Sequence, residues 1–375
     1  MTVKDTARWF CPHLLFDGQQ LVENMALQIR GAQVAAMCQA NALPADTLVT
    51  NLPGIVSPGY LDLQVNGGGN VLLNDVPTAA AMGQIAAAHR RFGTVGILPT
   101  VITDSADVLA ATVEAALEAP GQEGILGLHI EGPHISLARR GTHAARHVRP
   151  MDETTQTHVE RLRAAGIMVM ITLAPEAATP AQITRLAATG AVVSIGHSDA
   201  DAEAVQASFE AGARCVTHLY NAMSPMQNRA PGVTGAAINS RAYAGIICDG
   251  VHVADDMVAL AIRARPVAER MFLVSDAMPT VGGNDSFMLY GETVTLRDGQ
   301  LVNAEGSLAG AHVTMAQSVQ RLVQVLGIAP DQALKMAVSV PAALIGRADL
   351  MQLQGRLVRD LLYLDAELEV LTSPF

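Results

Sequence analysis

The stretch from 167 to 219, IMVMITLAPEAATPAQITRLAATGAVVSIGHSDADAEAVQASFEAGARCVTHL, decides how the chain reads. Three apolar segments of strand length lie in it, Ile167–Leu173, Ala191–Ile195 and Cys215–Leu219. Ala-rich stretches separate them, and in Asp199–Ala211 the apolar residues fall three and four apart, the spacing of an amphipathic helix. Strand, helix and strand in succession are the units of a parallel sheet. Working outward, Gly59–Val65, Thr94–Pro99 and Gly124–Ile130 precede this stretch, and Ala244–Cys248 and Met271–Val274 follow it. Helical spacing recurs in Thr78–Phe92, Ser105–Glu118 and Asp255–Ala264. Eight such units between Pro58 and Gly346 predict an α/β fold of the (β/α)8 barrel type rather than an open doubly wound sheet.

The flanks read differently. In the first 55 or so residues, short runs such as Leu27–Arg30 and Thr47–Leu52 are broken by Gly, Asn and Pro, which predicts small strands and turns. After a helical stretch, Pro330–Gly346, the run RLVRDLLYLDAELEVL (356–371) mixes apolar strand formers with charges. Two β-rich ends can pair as one small sheet domain around the barrel.

Composition narrows the function classes. Of 375 residues, 24 are basic and 35 acidic, and only 3% are aromatic, so the chain lacks the basic footprint and stacking platforms of a nucleic-acid binder. No apolar run reaches the roughly 18 to 20 residues that cross a bilayer, and residues 1–20 have no compact apolar core of a signal peptide. A cytoplasmic protein is expected. Cys11, Cys38, Cys215 and Cys248 form no CxxC pair and read as small buried hydrophobes.

In a barrel the working residues sit where strands end on the carboxyl face. Gln64 and Asn66 end the first strand, Glu131 the third, His197 the fifth, His218 the sixth and Asp276 the eighth. One carboxylate and two imidazoles, Glu131, His197 and His218, make a three-ligand set for zinc or a similar divalent ion, with a position left for water. Strand alternation removes a decoy, since Cys215 and His218 leave the strand on opposite faces. His129 shares a face with Glu131 and should lie a layer deeper, as a competing ligand or a partner behind the ligands.

The segments PGYLDLQVNG (58–67), GLHIEGPH (127–134), GHSDA (196–200), THLYNAM (217–223), GVHV (250–253) and LVSDAM (273–278) together resemble the N-acetylglucosamine-6-phosphate deacetylases, within the amidohydrolase superfamily. HIEGPH and THLYNAM are the specific pieces, and the order matches over nearly the whole chain. The resemblance implies a metal-bearing barrel at 58–345, a β-sandwich built from 1–57 and 346–375, usually a homodimer, and hydrolysis of the acetamide of N-acetylglucosamine 6-phosphate. It implies Asp276 as general base and then acid. It implies His143, in the basic loop Arg139–Arg149, as the group that polarises the substrate carbonyl or holds a sugar hydroxyl. Arg229 and His252 match positions that bind the sugar phosphate, some of whose contacts can come from a neighbouring subunit. Asn221 and Ala222 would add amide donors, and Leu308 would line the sugar pocket. Most amidohydrolases carry His-x-His at the end of the first strand and hold two metals. Here Gln64-Val65-Asn66 takes that place, and amides are poor ligands for a borderline ion. One divalent ion per subunit follows, zinc or another such as iron(II), with Gln64 and Asn66 bonding water or substrate. Two other readings share these residues: an amidohydrolase for another amino sugar or a cyclic amide, and a retired barrel that only binds a sugar phosphate. Retention of Glu131, His197, His218 and Asp276 speaks against the second.

Overall fold

The computed structural model describes residues 7–304, 306 and 308–375. Eight parallel strands run in sequence order, each paired with the next: Tyr60–Val65, Thr94–Ile102, Gly127–Glu131, Met168–Leu173, Val192–Ile195, Cys215–Val216, Tyr243–Ile246 and Met271–Leu273. Apart from partial exposure at Met168 and Tyr243, all are buried, as strands must be when helices cover one face and a packed barrel interior the other. Most of the helices around them start where the sequence supplies an oxygen for their free N–H groups, those at Gly232–Asn239 and Asp255–Ala264 being without a side-chain cap. Thr78, Ser105, Asp152, Thr179, Asp201 and Thr314 each cap a helix by accepting from the amide three residues on.

The sixth strand is shorter than the apolar run Cys215–Leu219 suggests. His218 takes φ +26°, so the chain leaves the sheet before the apolar residues end. The barrel closes at a seam between its eighth and first strands, where Asp276 N donates to Gln64 O at 3.0 Å and Asn66 N to Ala277 O at 2.9 Å. Below it, Ser275 N donates to the buried Asp62 carboxylate at 3.2 Å.

The two ends of the chain do pair. One mixed sheet runs in the order Leu361–Leu364, Val49–Pro58, Arg8–Phe16, Met25–Arg30, Gln33–Gln39, with Leu21–Val22 beside Arg8–Phe16. Its core joins Phe10, Leu15, Leu27, Ile29 and Val56 to Leu353 and Leu361 from the far end. Cys215 and Cys248 are buried as expected, but Cys11 and Cys38 lie in this thin sheet and are only partly covered.

A further element follows the eighth strand. Ser286–Leu289, Glu292–Arg297 and Gln300–Val302 form an antiparallel meander whose Leu289, Val294 and Leu301 pack with Leu72, Ile102 and Met278 at the barrel mouth. Its turns, Tyr290-Gly291 and Asp298-Gly299, all take positive φ, the two-residue hairpin geometry. The sequence reading left this stretch without structure, although Asp298-Gly299 is a hairpin signal.

Candidate active site

Three side chains meet at the carboxyl mouth. Glu131 Oε1 lies 3.0 Å from His218 Nε2 and 3.3 Å from His197 Nε2, and the two Nε2 atoms are 3.1 Å apart. All three residues are buried. Ligands on a tetrahedral ion at 2.0–2.1 Å are about 3.3 Å from one another, so this triangle has the size of a metal-binding face. The hydrogen-bond chemistry fits the same group. His197 Nδ1 faces the carbonyl of Arg139 at 2.9 Å, and a carbonyl only accepts, so Nδ1 carries a proton and Nε2 is the ring atom left to serve the triangle. One proton can bridge one pair of this triangle; a dication serves all three. Burial acts to raise the Glu131 pKa, but the imidazoles of His197 and His218 beside it overcome this and hold the carboxyl well below its usual range.

His143 joins a wider group, with donor atoms of Glu131, His143 and His197 lying within 4.8 Å of one another. The triangle through His218 is the tighter metal face, its three donor atoms lying 3.0–3.3 Å from one another. The His143 ring instead packs on His197, centroids 4.3 Å apart. Burial, and then the neighbouring His197, push its pKa well down, so the ring is neutral. His129 lies a layer deeper, as its strand position implies, with Nε2 2.8 Å from Thr172 Oγ1.

Asp276 is placed by the seam. Its Oδ1 accepts from Asn66 Nδ2 at 2.7 Å and from Gln64 Nε2 at 3.1 Å, and the same Gln64 nitrogen donates to Glu131 Oε1 at 2.9 Å. The amide nitrogens are thereby spent on carboxylates, while Gln64 Oε1 and Asn66 Oδ1 are buried without a partner among the described residues. His197, His218 and Asp276 take φ of +47°, +26° and +52°. Such backbone costs about 1 to 3 kcal/mol for a non-glycine residue and gathers where surrounding structure enforces it for function.

The expected substrate-side residues are spread more widely. His252 Nδ1 lies 2.6 Å from Asp249 Oδ2, and the Asp249 carboxylate also accepts from the His252 and Val251 amides at 2.8 Å. Asn221 turns its amide back on the carbonyl of His218 at 3.3 Å, and its backbone N–H is likewise spent on that carbonyl at 3.0 Å. Ala222 takes φ +50° in the same turn. Arg229 is exposed, has no hydrogen bond or ion pair among the described residues, and borders a cavity of about 460 Å³ with Arg139, Asp199 and Ser224. Leu308, 39% exposed, lines a separate cavity of about 560 Å³ with Arg140, Arg146 and Tyr290. The basic loop is largely tied down: Arg139 pairs with Asp199 at 2.7 Å and Arg149 with Asp152 at 3.0 Å.

Asp249, Thr103 and Tyr290 went unread in the sequence. Asp249 had a signal, an acid three residues before His252 in DGVH; Thr103 and Tyr290 had none, because their contacts join strands far apart in the chain.

A barrel that presents a carboxylate and two imidazoles at its carboxyl rim, with a second carboxylate fixed beside them, is built as a metal-dependent hydrolase. The chain belongs to the amidohydrolase family, whose profile matches residues 55–351. It is 41% identical over 322 residues to the N-acetylgalactosamine-6-phosphate deacetylase of Shewanella sp. (strain ANA-3), covering 85% of this chain and 81% of that one. To the N-acetylglucosamine-6-phosphate deacetylase of Haemophilus influenzae it is 30% identical over 344 residues, 90% of this chain and 89% of that one. The crystal structure of the N-acetylglucosamine-6-phosphate deacetylase from Pasteurella multocida superposes with a TM-score of 0.89 at 31% identity, over 98% of this chain and 97% of that one.

Proposed function

We propose that the protein hydrolyses the acetamide of N-acetylglucosamine 6-phosphate to glucosamine 6-phosphate and acetate. The observation that carries the reading is the convergence of Glu131, His197 and His218 within 3.0–3.3 Å beside an Asp276 fixed by two amides. Glu131, His197 and His218 would hold one divalent ion per subunit, zinc first and iron(II) as the alternative. When bound, it would act as a Lewis acid on the amide carbonyl and lower the pKa of a water to about 7. Asp276 takes the proton of the attacking water, and its carboxylic acid then delivers that proton to the amine nitrogen as the C–N bond breaks. His143 polarises the carbonyl oxygen as charge develops there, or holds a sugar hydroxyl. The free oxygens of Gln64 and Asn66 accept from water or a sugar hydroxyl. Arg229 and His252 take the phosphate, with Asn221, Ala222 and Leu308 around the sugar. The reading includes a cytoplasmic homodimer; among the described residues no helix is long and apolar enough to cross a membrane.

The 41% identity to a deacetylase of the C4 epimer favours a second substrate reading, N-acetylgalactosamine 6-phosphate. Acetate release by the purified metal-loaded protein from both epimers, each with and without the phosphate, tests both at once. A higher kcat/KM on the galacto sugar would move the assignment to that epimer, and no acetate from either would end the deacetylase reading.

Arg229→Ala should lower kcat/KM on the phosphorylated sugar roughly 10- to 100-fold, since a charge-assisted hydrogen bond contributes about 1.5 to 3 kcal/mol. The unphosphorylated sugar should be turned over unchanged. Equal losses on both sugars would make Arg229 a structural residue.

A further inference from the structure

The loop after the seventh strand carries an acid and an imidazole that the chemistry at the metal face does not use. Asp249 and His252 stand three residues apart, with side chains only 9% and 10% exposed. Gly250 between them takes φ +75°, and a Cβ there would collide with the Arg321 guanidinium. The turn folds the Asp249 carboxylate back onto its own loop. Its Oδ1 accepts from the amides of Val251 and His252, both at 2.8 Å, and its Oδ2 meets His252 Nδ1 at 2.6 Å.

An ionised carboxylate only accepts, so His252 Nδ1 is the donor and carries a proton. Burial acts to raise the Asp249 pKa, but the hydrogen bonds from His252 and the two amides overcome it and hold the carboxyl below its usual range. His252 Nε2 has no hydrogen-bond partner among the described residues. With Nδ1 protonated, the ring has two states. Charged, it donates from Nε2; neutral, it presents a lone pair there, which repels a phosphate oxygen. The other ionisable groups around the pair leave this choice to the ring. Arg321 is neutralised by Asp255, with two contacts of 2.7 Å, and the Cys248 thiol is pushed up to about 12 by burial. Asp276 is the remaining acid, close enough for the charge of His252 to act on it.

We propose that Asp249 is a positioning residue that locks a proton on His252 Nδ1, so that His252 holds phosphate only as the imidazolium. The preference for a phosphorylated sugar then fades as pH rises and the ring loses its Nε2 proton. The inference rests on the proposed deacetylation, in which His252 meets the sugar phosphate.

The test reads a ratio, kcat/KM on the 6-phosphorylated sugar over kcat/KM on the unphosphorylated one. Ionisations shared by both reactions, that of Asp276 included, cancel in it. The phosphate is already a dianion above about pH 6.5. From there to about pH 9.5 the wild-type ratio should fall roughly 10- to 100-fold, the worth of one charge-assisted hydrogen bond. In Asp249→Asn the side-chain oxygen must stay on the two amides, which turns the NH2 group toward Nδ1 and moves the proton of a neutral ring to Nε2. That ratio should start about 5- to 15-fold lower, a neutral donor replacing a charged one, and stay level with pH. Long-range ¹H–¹⁵N spectra of the zinc-loaded protein labelled at histidine, with His252 assigned by its loss in His252→Gln, should show the neutral ring protonated on Nδ1 in the wild type and on Nε2 in Asp249→Asn. Inorganic phosphate should shift the wild-type ring toward its charged form. A wild-type neutral ring protonated on Nε2, a wild-type ratio level with pH, or an Asp249→Asn ratio that follows the wild type would each overturn the proposal. The two wild-type measurements decide even if the variant fails to fold. The spectra need no turnover, so absence of acetate from every sugar would end the deacetylase reading while the ring still decides this one.

Discussion

Asp276→Asn should fold, bind metal and bind substrate, yet lose kcat by at least two to four orders of magnitude. The hydrogen-bond pattern explains the survival of the fold. Asp276 Oδ1 only accepts, from Asn66 at 2.7 Å and Gln64 at 3.1 Å, and the side-chain oxygen of an Asn can accept from both in the same place. What disappears is a group able to hold a proton between water and amine. General acid–base catalysis contributes about 10²- to 10⁴-fold for one transfer, and in the proposed reaction a single carboxylate serves two. The wild-type rate should also fall on the acid side, because the base must be ionised. In the metal-free protein burial, and after it the Glu131 charge, push Asp276 up to about 6; a bound dication would draw it back toward the ordinary range. The Asn variant should show no such limb. Single-turnover acetate release with metal content measured on the same samples checks this, and near-normal turnover would remove Asp276 from the chemistry.

The second large effect concerns the metal face. Glu131→Gln replaces the one anionic donor by an amide, and His218→Ala deletes a donor whose Nε2 lies 3.0 Å from Glu131. Changing outer partners of metal ligands already costs about 10- to 100-fold in affinity, so losing a ligand should cost more than about 100-fold. Zinc should then stabilise the wild type but not the variants. A ligand at a hundred times its Kd adds about 2.7 kcal/mol to unfolding, which a melting curve resolves. Activity should fall in step with occupancy measured after gel filtration. A variant that kept both full occupancy and full rate would free that residue from the ligand set.

The parts of this molecule that were legible in the sequence are those governed by short-range pattern. Apolar runs such as Met168–Leu173 and Val192–Ile195 read as strands because they are too short for a helix, rich in β-branched residues and bounded by glycine or helical stretches. The ligand candidates were legible because a barrel puts strand ends in one place, so Glu131, His197 and His218 could be grouped without knowing a distance. Local conformation was less accessible: the left-handed backbone at His218 shortens a strand whose composition runs on to Leu219. Least legible were contacts made through the main chain. Any residue type offers a carbonyl, so nothing at Thr103 or Arg139 announces that one receives Tyr290 Oη and the other orients the His197 ring. Gln64 and Asn66 fall between these cases. They read as partners of water or substrate, and the structure adds that their nitrogens already serve Asp276 and Glu131.

The small sheet has a consequence for biosynthesis. Its strand Val49–Pro58 pairs with Leu361–Leu364, and Gly54 N donates to the hydroxyl of Tyr363 across a separation of 309 residues. At a translation rate of 5–20 residues per second, the early strands emerge roughly 15 to 60 s before their partner exists. For that interval Val49–Pro58 has one flank without its strand, so the nascent chain carries an open β-edge that invites pairing with neighbouring polypeptides. Leu361–Leu364 is thus a late-arriving lock: deleting it should hurt yield and solubility in the cell far more than it alters the chemistry at the distant barrel mouth.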